Sequence, residues 1–269
     1  MTDPRRRRAR AKAESRTPVA AFAAEPVEAG LEADADTDAG KDPMIPETAA
    51  ETSADPVATS PAAEPSGAAL LRRARELERS DDPQGAIKVY QQLLLEEPDN
   101  IKARNSLGCL YDALGKPLLA LEQFETARNL APENIEVLLN IGDALVTLTK
   151  FDQAEREYRR AQKLDPARPE VYVHLGILYF KRGLYAQAEV ELKKGIDLDA
   201  DNGLAYFYRG ESLNQLMRVD EALDALLRAA ALQPGNARAF YLMGILYDKK
   251  RMPDQAMSMY RKARELTAK

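Results

Sequence analysis

The residues of this 269-residue chain that could do chemistry are few and stand apart. His174 is its one histidine and Cys109 its one cysteine. A zinc site draws on several such ligands, and this pair leaves too little to build one. A lone cysteine forms no intrachain disulfide and suits a reducing compartment. His174 could change charge near neutral pH, but an isolated histidine reads first as a polar packing residue, and Cys109 as a small filler. No Ser/His/Asp set, glycine-rich phosphate loop or paired carboxylate cluster rises above background. The expectation is a protein that is not an enzyme and holds no cofactor or metal. The remaining chemical feature is a basic tip, Arg5-Arg6-Arg7-Arg8 to Lys12. It has the character of an arm for RNA, ribosome or anionic lipid. The plainer reading is a solubilising end lying over the acidic stretch behind it.

Residues 1–66 hold 8 basic and 13 acidic groups, so they carry the whole net charge of -5. Residues 67–269 hold 30 of each sign and are neutral, without a bulk drive toward nucleic acid. Half of the 16 prolines also fall in the first 66 residues. Prolines 18, 26, 43, 46, 56, 61 and 65 remove backbone donors and push the preceding residue out of helical geometry. With Phe22 the only aromatic there, apolar burial cannot offset an ordering cost of ~1–2 kcal/mol per residue. A disordered tail is expected over 1–66. No stretch approaches the ~18–20 apolar residues that span a bilayer. The run Val19-Ala20-Ala21-Phe22-Ala23-Ala24 is too short for the core of an export signal. The expected location is cytoplasmic.

The elements that must position any site follow from a period of 34. Pro98, Pro132, Pro166 and Pro234 are spaced by multiples of 34, with Ala200 in the missing slot. Twelve places before each stand Ala86, Ala120, Ala154, Ala188 and Ala222, continuing to Ala256. Twenty-four places before stand Ala74, Gly108, Gly142, Gly176 and Gly210, continuing to Gly244. Three columns in phase define units 67–100, 101–134, 135–168, 169–202, 203–236 and 237–269.

Each unit reads as two helices. In the second, Leu107, Leu110, Tyr111 and Leu114 mark one helical stripe over roughly 102–114. Gly115-Lys116 breaks it, Pro117 opens the next helix where a first turn tolerates proline, and Pro132 closes it near Leu130. Asn100, Asn134, Asn202 and Asn236 end four units, poised to cap the following helix. Arg168 breaks that column, and Pro169 stands beside it as a substitute start signal. The mid-helix glycines each cost about 1 kcal/mol relative to alanine. Close helix approach should offset this, with the alanine column of the second helix as the expected partner and the larger columns, Tyr111, Tyr179 and Tyr247 and Tyr90, Phe124, Tyr158 and Tyr260, filling the space beside that contact.

A 34-residue helix–turn–helix unit with this signature resembles the tetratricopeptide repeat. The pattern stands as Leu107-Gly108, Tyr111, Ala120, Phe124, Ala127 and Pro132, and again as Leu175-Gly176, Tyr179 and Ala188. The family's usual tryptophan is absent; Leu70, Arg104, Leu138, Tyr172, Tyr206 and Phe240 take its place. The first unit departs most, with Arg73-Ala74 where Leu-Gly is expected. The resemblance implies an all-α, right-handed α-solenoid of six units and about twelve helices. It also implies a concave groove lined by the first helix of each unit, used to bind another protein.

The groove-facing places implied are the second, fifth, ninth and twelfth of each unit, one helical stripe. They are polar and mixed in the second and third units, including Asn105 and Asp143. From the fourth unit on they turn apolar and aromatic through Val173, Ile177, Phe180, Phe207, Tyr241 and Ile245, with Glu211 among them. Aromatics on such a surface are anchors for a peptide or amphipathic helix, and Phe207 and Tyr241 are the expected pair. Two ligand classes of similar repeats are excluded. A grip on a C-terminal carboxylate needs lysine, asparagine and arginine at fixed places, and Leu71, Arg75, Asn105, Cys109, Leu139 and Asp143 do not supply them. A sugar-transferase asparagine ladder fails at Ser106, His174 and Tyr208 around Asn140.

The reading is a non-catalytic adaptor or scaffold. The alternatives are a helical-repeat RNA binder with an arginine-rich arm and a regulatory subunit of a separate enzyme. The last unit leaves Met257, Met259, Tyr260 and Leu266 without a following helix in this sequence; the plainer reading is a methionine-containing end that tolerates water, the alternative a surface for a partner or a second copy.

Overall fold

The computed structural model describes residues 66–268; the expectations of a disordered tail and a basic tip lie outside them. Among the described residues there are twelve helices and no strand. They are α1 (Gly67–Arg79), α2 (Pro83–Glu96), α3 (Ile101–Ala113), α4 (Pro117–Leu130), α5 (Ile135–Thr147) and α6 (Phe151–Leu164). The rest are α7 (Pro169–Lys181), α8 (Tyr185–Leu198), α9 (Gly203–Gln215), α10 (Val219–Leu232), α11 (Ala237–Lys249) and α12 (Pro253–Thr267). They form six antiparallel pairs in series. The first unit, with Ala74 in the glycine column, forms its pair like the others.

Local chemistry sets the helix ends. The side chains of Asn100, Asn134, Asn202 and Asn236 accept from the backbone N–H of Ala103, Val137, Ala205 and Ala239, each filling one orphan donor of a first turn. Arg168 makes no such bond, and Pro169 opens α7 without a donor to satisfy. Every first helix ends in the same Schellman turn. The N–H of the sixteenth residue bonds the carbonyl of the eleventh, as in Lys116 to Tyr111 at 2.8 Å and Lys150 to Leu145 at 2.8 Å. The fifteenth residue must then be left-handed. Gly115 and Gly183 meet this demand without strain, at φ 70° and 77°, but Asp81, Thr149, Met217 and Arg251 meet it with side chains, at φ 60°, 58°, 62° and 58°.

The nearest side chains facing the glycine column are not the alanines; only at Gly210 does an alanine, through the Ala222 carbonyl at 3.3 Å, come among the closest atoms. A Cβ added at Gly108 would stand 2.4 Å from the Phe124 ring, at Gly142 2.1 Å from Tyr158, and at Gly244 2.4 Å from Tyr260. At Gly176 and Gly210 it would meet Leu192 and Leu226, at 2.4 and 2.7 Å. The small residue thus admits a large side chain of the facing helix, aromatic in three units and leucine in two, which needs more room than an alanine does. The alanines are buried completely elsewhere in the same interface, Ala120, Ala154, Ala188 and Ala222 all at 0% exposure.

The two layers differ in spacing. Odd helices pack directly on one another across units, α3 on α5, α5 on α7, α7 on α9 and α9 on α11, whereas even helices pack closely only on odd ones. Between even helices the links are long side chains: Arg128 to Glu157 at 3.0 Å and Arg159 to Glu191 at 2.9 Å. A stack whose one layer is more tightly spaced curves toward that layer, so the odd helices line the inner face.

Candidate functional site

The inner face is built by cross-unit polar contacts between odd helices. Asn105 donates to Glu136 at 2.9 Å, and Asn140 donates to Asn105 at 2.8 Å. Asp143 accepts from the Tyr158 hydroxyl at 2.6 Å and lies 2.8 Å from His174 Nδ1. Arg238 donates to Glu211 at 2.7 Å, and Lys249 to Asn214 at 2.7 Å. Except for the Tyr158–Asp143 bond, which lies within the third unit, each contact joins one unit to the next, so these groups set the register of the inner layer. Burial and the Asp143 carboxylate push the Tyr158 hydroxyl far above its ordinary range, which keeps it a donor.

The expected groove residues do not all face solvent. Asn105, Val173, Phe207 and Glu211 are buried, the last at 6% exposure, while Asp143, Ile177, Phe180 and Ile245 are half-buried. Tyr241 is 54% exposed. At Asn105, Val173 and Phe207, the fifth places of the second, fourth and fifth units, the side chain is buried where the first helix of the following unit packs. The Arg238 guanidinium, for example, lies 5.4 Å above the Phe207 ring. Val173 and Phe207 are therefore packing residues in this structure rather than free anchors. Phe207→Ala would open a cavity and lower stability, as well as remove an expected anchor.

What remains accessible is a half-buried apolar step. Phe180 lies 5.6 Å from Tyr185 and 5.4 Å from Tyr208, whose other edge meets Phe207 at 5.4 Å. Tyr208 was not among the expected site residues. It stands at the sixth place, four residues on from the second, and that helical step was the signal for it. His174 and Asn140 occupy the same column, and both contact the preceding unit.

Two carboxylates on this face are left short of partners. Glu211 Oε2 and Asp112 Oδ1 are buried with no hydrogen-bond partner. Desolvation raises the Glu211 carboxyl above its ordinary range against the opposing charge of Arg238. Desolvation also raises Asp112, with the Asp143 charge adding to it and Lys181 opposing. Cys109 is exposed as a residue, but its thiol is desolvated and faces Glu136, Asp112, Glu78 and Asp143, which push it up to about 11.

At the last pair, Met257 is 60% exposed and Tyr260, beside Tyr241 at 5.6 Å, is half-buried. A groove of about 720 Å³ runs there between Tyr241, Tyr260, Ala263 and Arg264. Among the described residues no group of three or more His, Cys, Asp or Glu is placed to hold a metal ion, and no helix is long and apolar enough to cross a membrane.

Comparison with known proteins agrees with this geometry. A tetratricopeptide repeat family model matches residues 71–135, 139–202 and 191–237, and a second of the same description matches 237–269. The chain belongs to the tetratricopeptide repeat family. No curated protein matches it. Among solved structures, a tetratricopeptide repeat protein from Parabacteroides merdae is 20% identical, with TM-score 0.65, over 77% of this chain and 81% of that one. Pseudomonas aeruginosa pilF is 20% identical, with TM-score 0.63, over 75% and 96%. MamA is 24% identical, with TM-score 0.53, over 60% and 95%. At these identities the likeness is one of fold. Tetratricopeptide repeats generally mediate contacts between proteins, and no catalytic constellation distinguishes this one among the described residues.

Proposed function

We infer that this tetratricopeptide repeat protein is a non-catalytic adaptor whose inner face binds a peptide or helix of another protein. One observation carries the reading: packing leaves the apolar step Ile177, Phe180 and Tyr208 half-buried on the inner face. Apolar area that packing leaves partly open gains from a ligand that covers it. Asn105 and Asp143 hold the polar section of this face in register, while Ile245 and Tyr241 extend its apolar section. Val173 and Phe207 support it from beneath.

The experiment is affinity capture with the full chain, its Phe180→Ala/Tyr241→Ala variant, and Val190→Ser on the opposite layer. The double variant is expected to lose the captured partner while keeping its far-ultraviolet circular dichroism, with Val190→Ser behaving as wild type. Capture unchanged in the double variant would overturn the reading.

A further inference from the structure

Every earlier pair receives the first helix of the next unit, and the groove of about 720 Å³ at the last pair lies at the same place. The contacts repeat by position within the unit. The fifth place meets the second of the following unit, as Asn105 donates to Glu136 at 2.9 Å and Arg238 lies over Phe207 at 5.4 Å. The twenty-first meets the seventh, as Arg209 donates to Glu189 at 3.0 Å. The twenty-fourth meets the sixth, as the Tyr158 and His174 rings stand 5.5 Å apart. In the fifth unit these three places, Phe207, Leu223 and Leu226, are exposed by 5% or less. In the sixth they hold Tyr241 at 54% exposure, Met257 at 60% and Tyr260, half-buried. Two arginines beside the groove match the same neighbour. Among the described residues, consecutive second helices are joined by ion pairs that end on the twenty-third place of the later unit. Arg128, at the twenty-eighth place, reaches Glu157 at 3.0 Å, and Arg159, at the twenty-fifth, reaches Glu191 at 2.9 Å. The sixth unit has arginine at both donor places, Arg264 and Arg261. Both are exposed, and among the described residues neither is in an ion pair.

We propose that the end groove docks a helical hairpin of another protein, stacked as a further unit would be. Its first helix covers Tyr241, Met257 and Tyr260 and withdraws their apolar area from water. It does so with small or aliphatic side chains, as internal first helices do at their buried third places, Ala103, Val137 and Val171. Its second helix carries an acid at the place of Glu157 and Glu191, which pairs with Arg264 or Arg261. A second copy of this chain does not match. Its first pair would bring Arg72 and Arg73 at the sixth and seventh places, beside Arg261 and Arg264, and has Val89 in place of the acid. Arg209 at a seventh place has Glu189 to meet, whereas Arg73 would have Met257. This end surface is distinct from the inner face, and the proposal does not rest on that face being a binding surface.

The test uses the full chain and a fluorescein-labelled peptide of residues 135–168, the third unit with Glu157 at its twenty-third place, followed by fluorescence anisotropy. The peptide binds and gains helicity on mixing, because a repeat takes its order from its neighbour. Arg261→Glu/Arg264→Glu, two exposed positions, weakens binding about tenfold, the scale of two partly exposed ion pairs. A Glu157→Lys peptide restores binding to that variant and binds the wild-type chain weakly. Arg72→Glu/Arg73→Glu, at the other end of the stack, leaves binding unchanged. Loss in Arg72→Glu/Arg73→Glu rather than in Arg261→Glu/Arg264→Glu would overturn the proposal, as would no recovery with the Glu157→Lys peptide or no binding at all. A dimer in sedimentation that Arg261→Glu/Arg264→Glu dissociates would make the occupant a second copy and overturn it too. The capture experiment with Phe180→Ala/Tyr241→Ala judges the inner face separately.

Discussion

Replacing Gly142 by alanine sets helix propensity against packing, and the structure gives the sign. In an exposed helix the change would stabilise by about 1 kcal/mol. Here the new Cβ would lie 2.1 Å from Tyr158 Cε1. The ring cannot swing aside, since Tyr158 is 1% exposed and its hydroxyl donates to Asp143 at 2.6 Å. Overpacking a pinned side chain costs about 1–3 kcal/mol, and more where nothing yields. The net expectation for Gly142→Ala is a loss of about 1–2 kcal/mol, read as a lower urea midpoint by circular dichroism. In a Tyr158→Ala background the obstacle is gone, and the same glycine change should raise the midpoint, a gain in stability of up to about 1 kcal/mol. A rise of equal size in both backgrounds would refute the account of the glycine column.

Three further outcomes follow from the same geometry. Thr149 adopts φ 58° in its Schellman turn; Thr149→Gly should relieve strain of about 1–2 kcal/mol, less ~0.5–1 kcal/mol of added chain entropy, and raise Tm by about 2–4 °C per kcal/mol gained. A lower Tm would contradict this. The Glu211 carboxyl is raised in the folded state by desolvation, so the stability it contributes is present below the unfolded carboxylate range and lost as pH rises through the folded value. Glu211→Gln should therefore unfold later than wild type at neutral pH, with the gap closing on acidification; earlier unfolding at neutral pH would make Glu211 a purely structural partner of Arg238. The Cys109 thiol, pushed up to about 11, should react slowly with iodoacetamide near neutrality, and faster in Asp112→Asn. Fast wild-type alkylation would remove the negative field from the account.

Much of the fold was legible because it is local and periodic. The asparagine caps, Pro117, Pro169 and Gly115 act within one turn of their own positions, and each does in the structure what its residue type requires. The left-handed residues Thr149, Met217 and Arg251 were not legible, since nothing in those side chains favours that conformation; the repeated turn imposes it. The partner of the glycines was misjudged because volume, rather than column neighbourhood, decides what fills a gap. The site was legible as a helical stripe but not in its depth. Whether Val173 or Phe207 is open depends on the next unit's first helix, a contact about one period away in sequence. Tyr208 was missed because the stripe is wider than the four places first assigned to it.

The central claim, that the layer of odd helices is the binding surface, is tested most directly by site-specific photocrosslinking in cells. A photoreactive residue would be placed at Cys109, Phe180 or Tyr241 on the inner layer, and at Glu125, Val190 or Leu227 on the outer. The account predicts crosslinks to one partner protein from the inner positions and none from the outer. The same partner crosslinking only from Glu125, Val190 or Leu227 would contradict it.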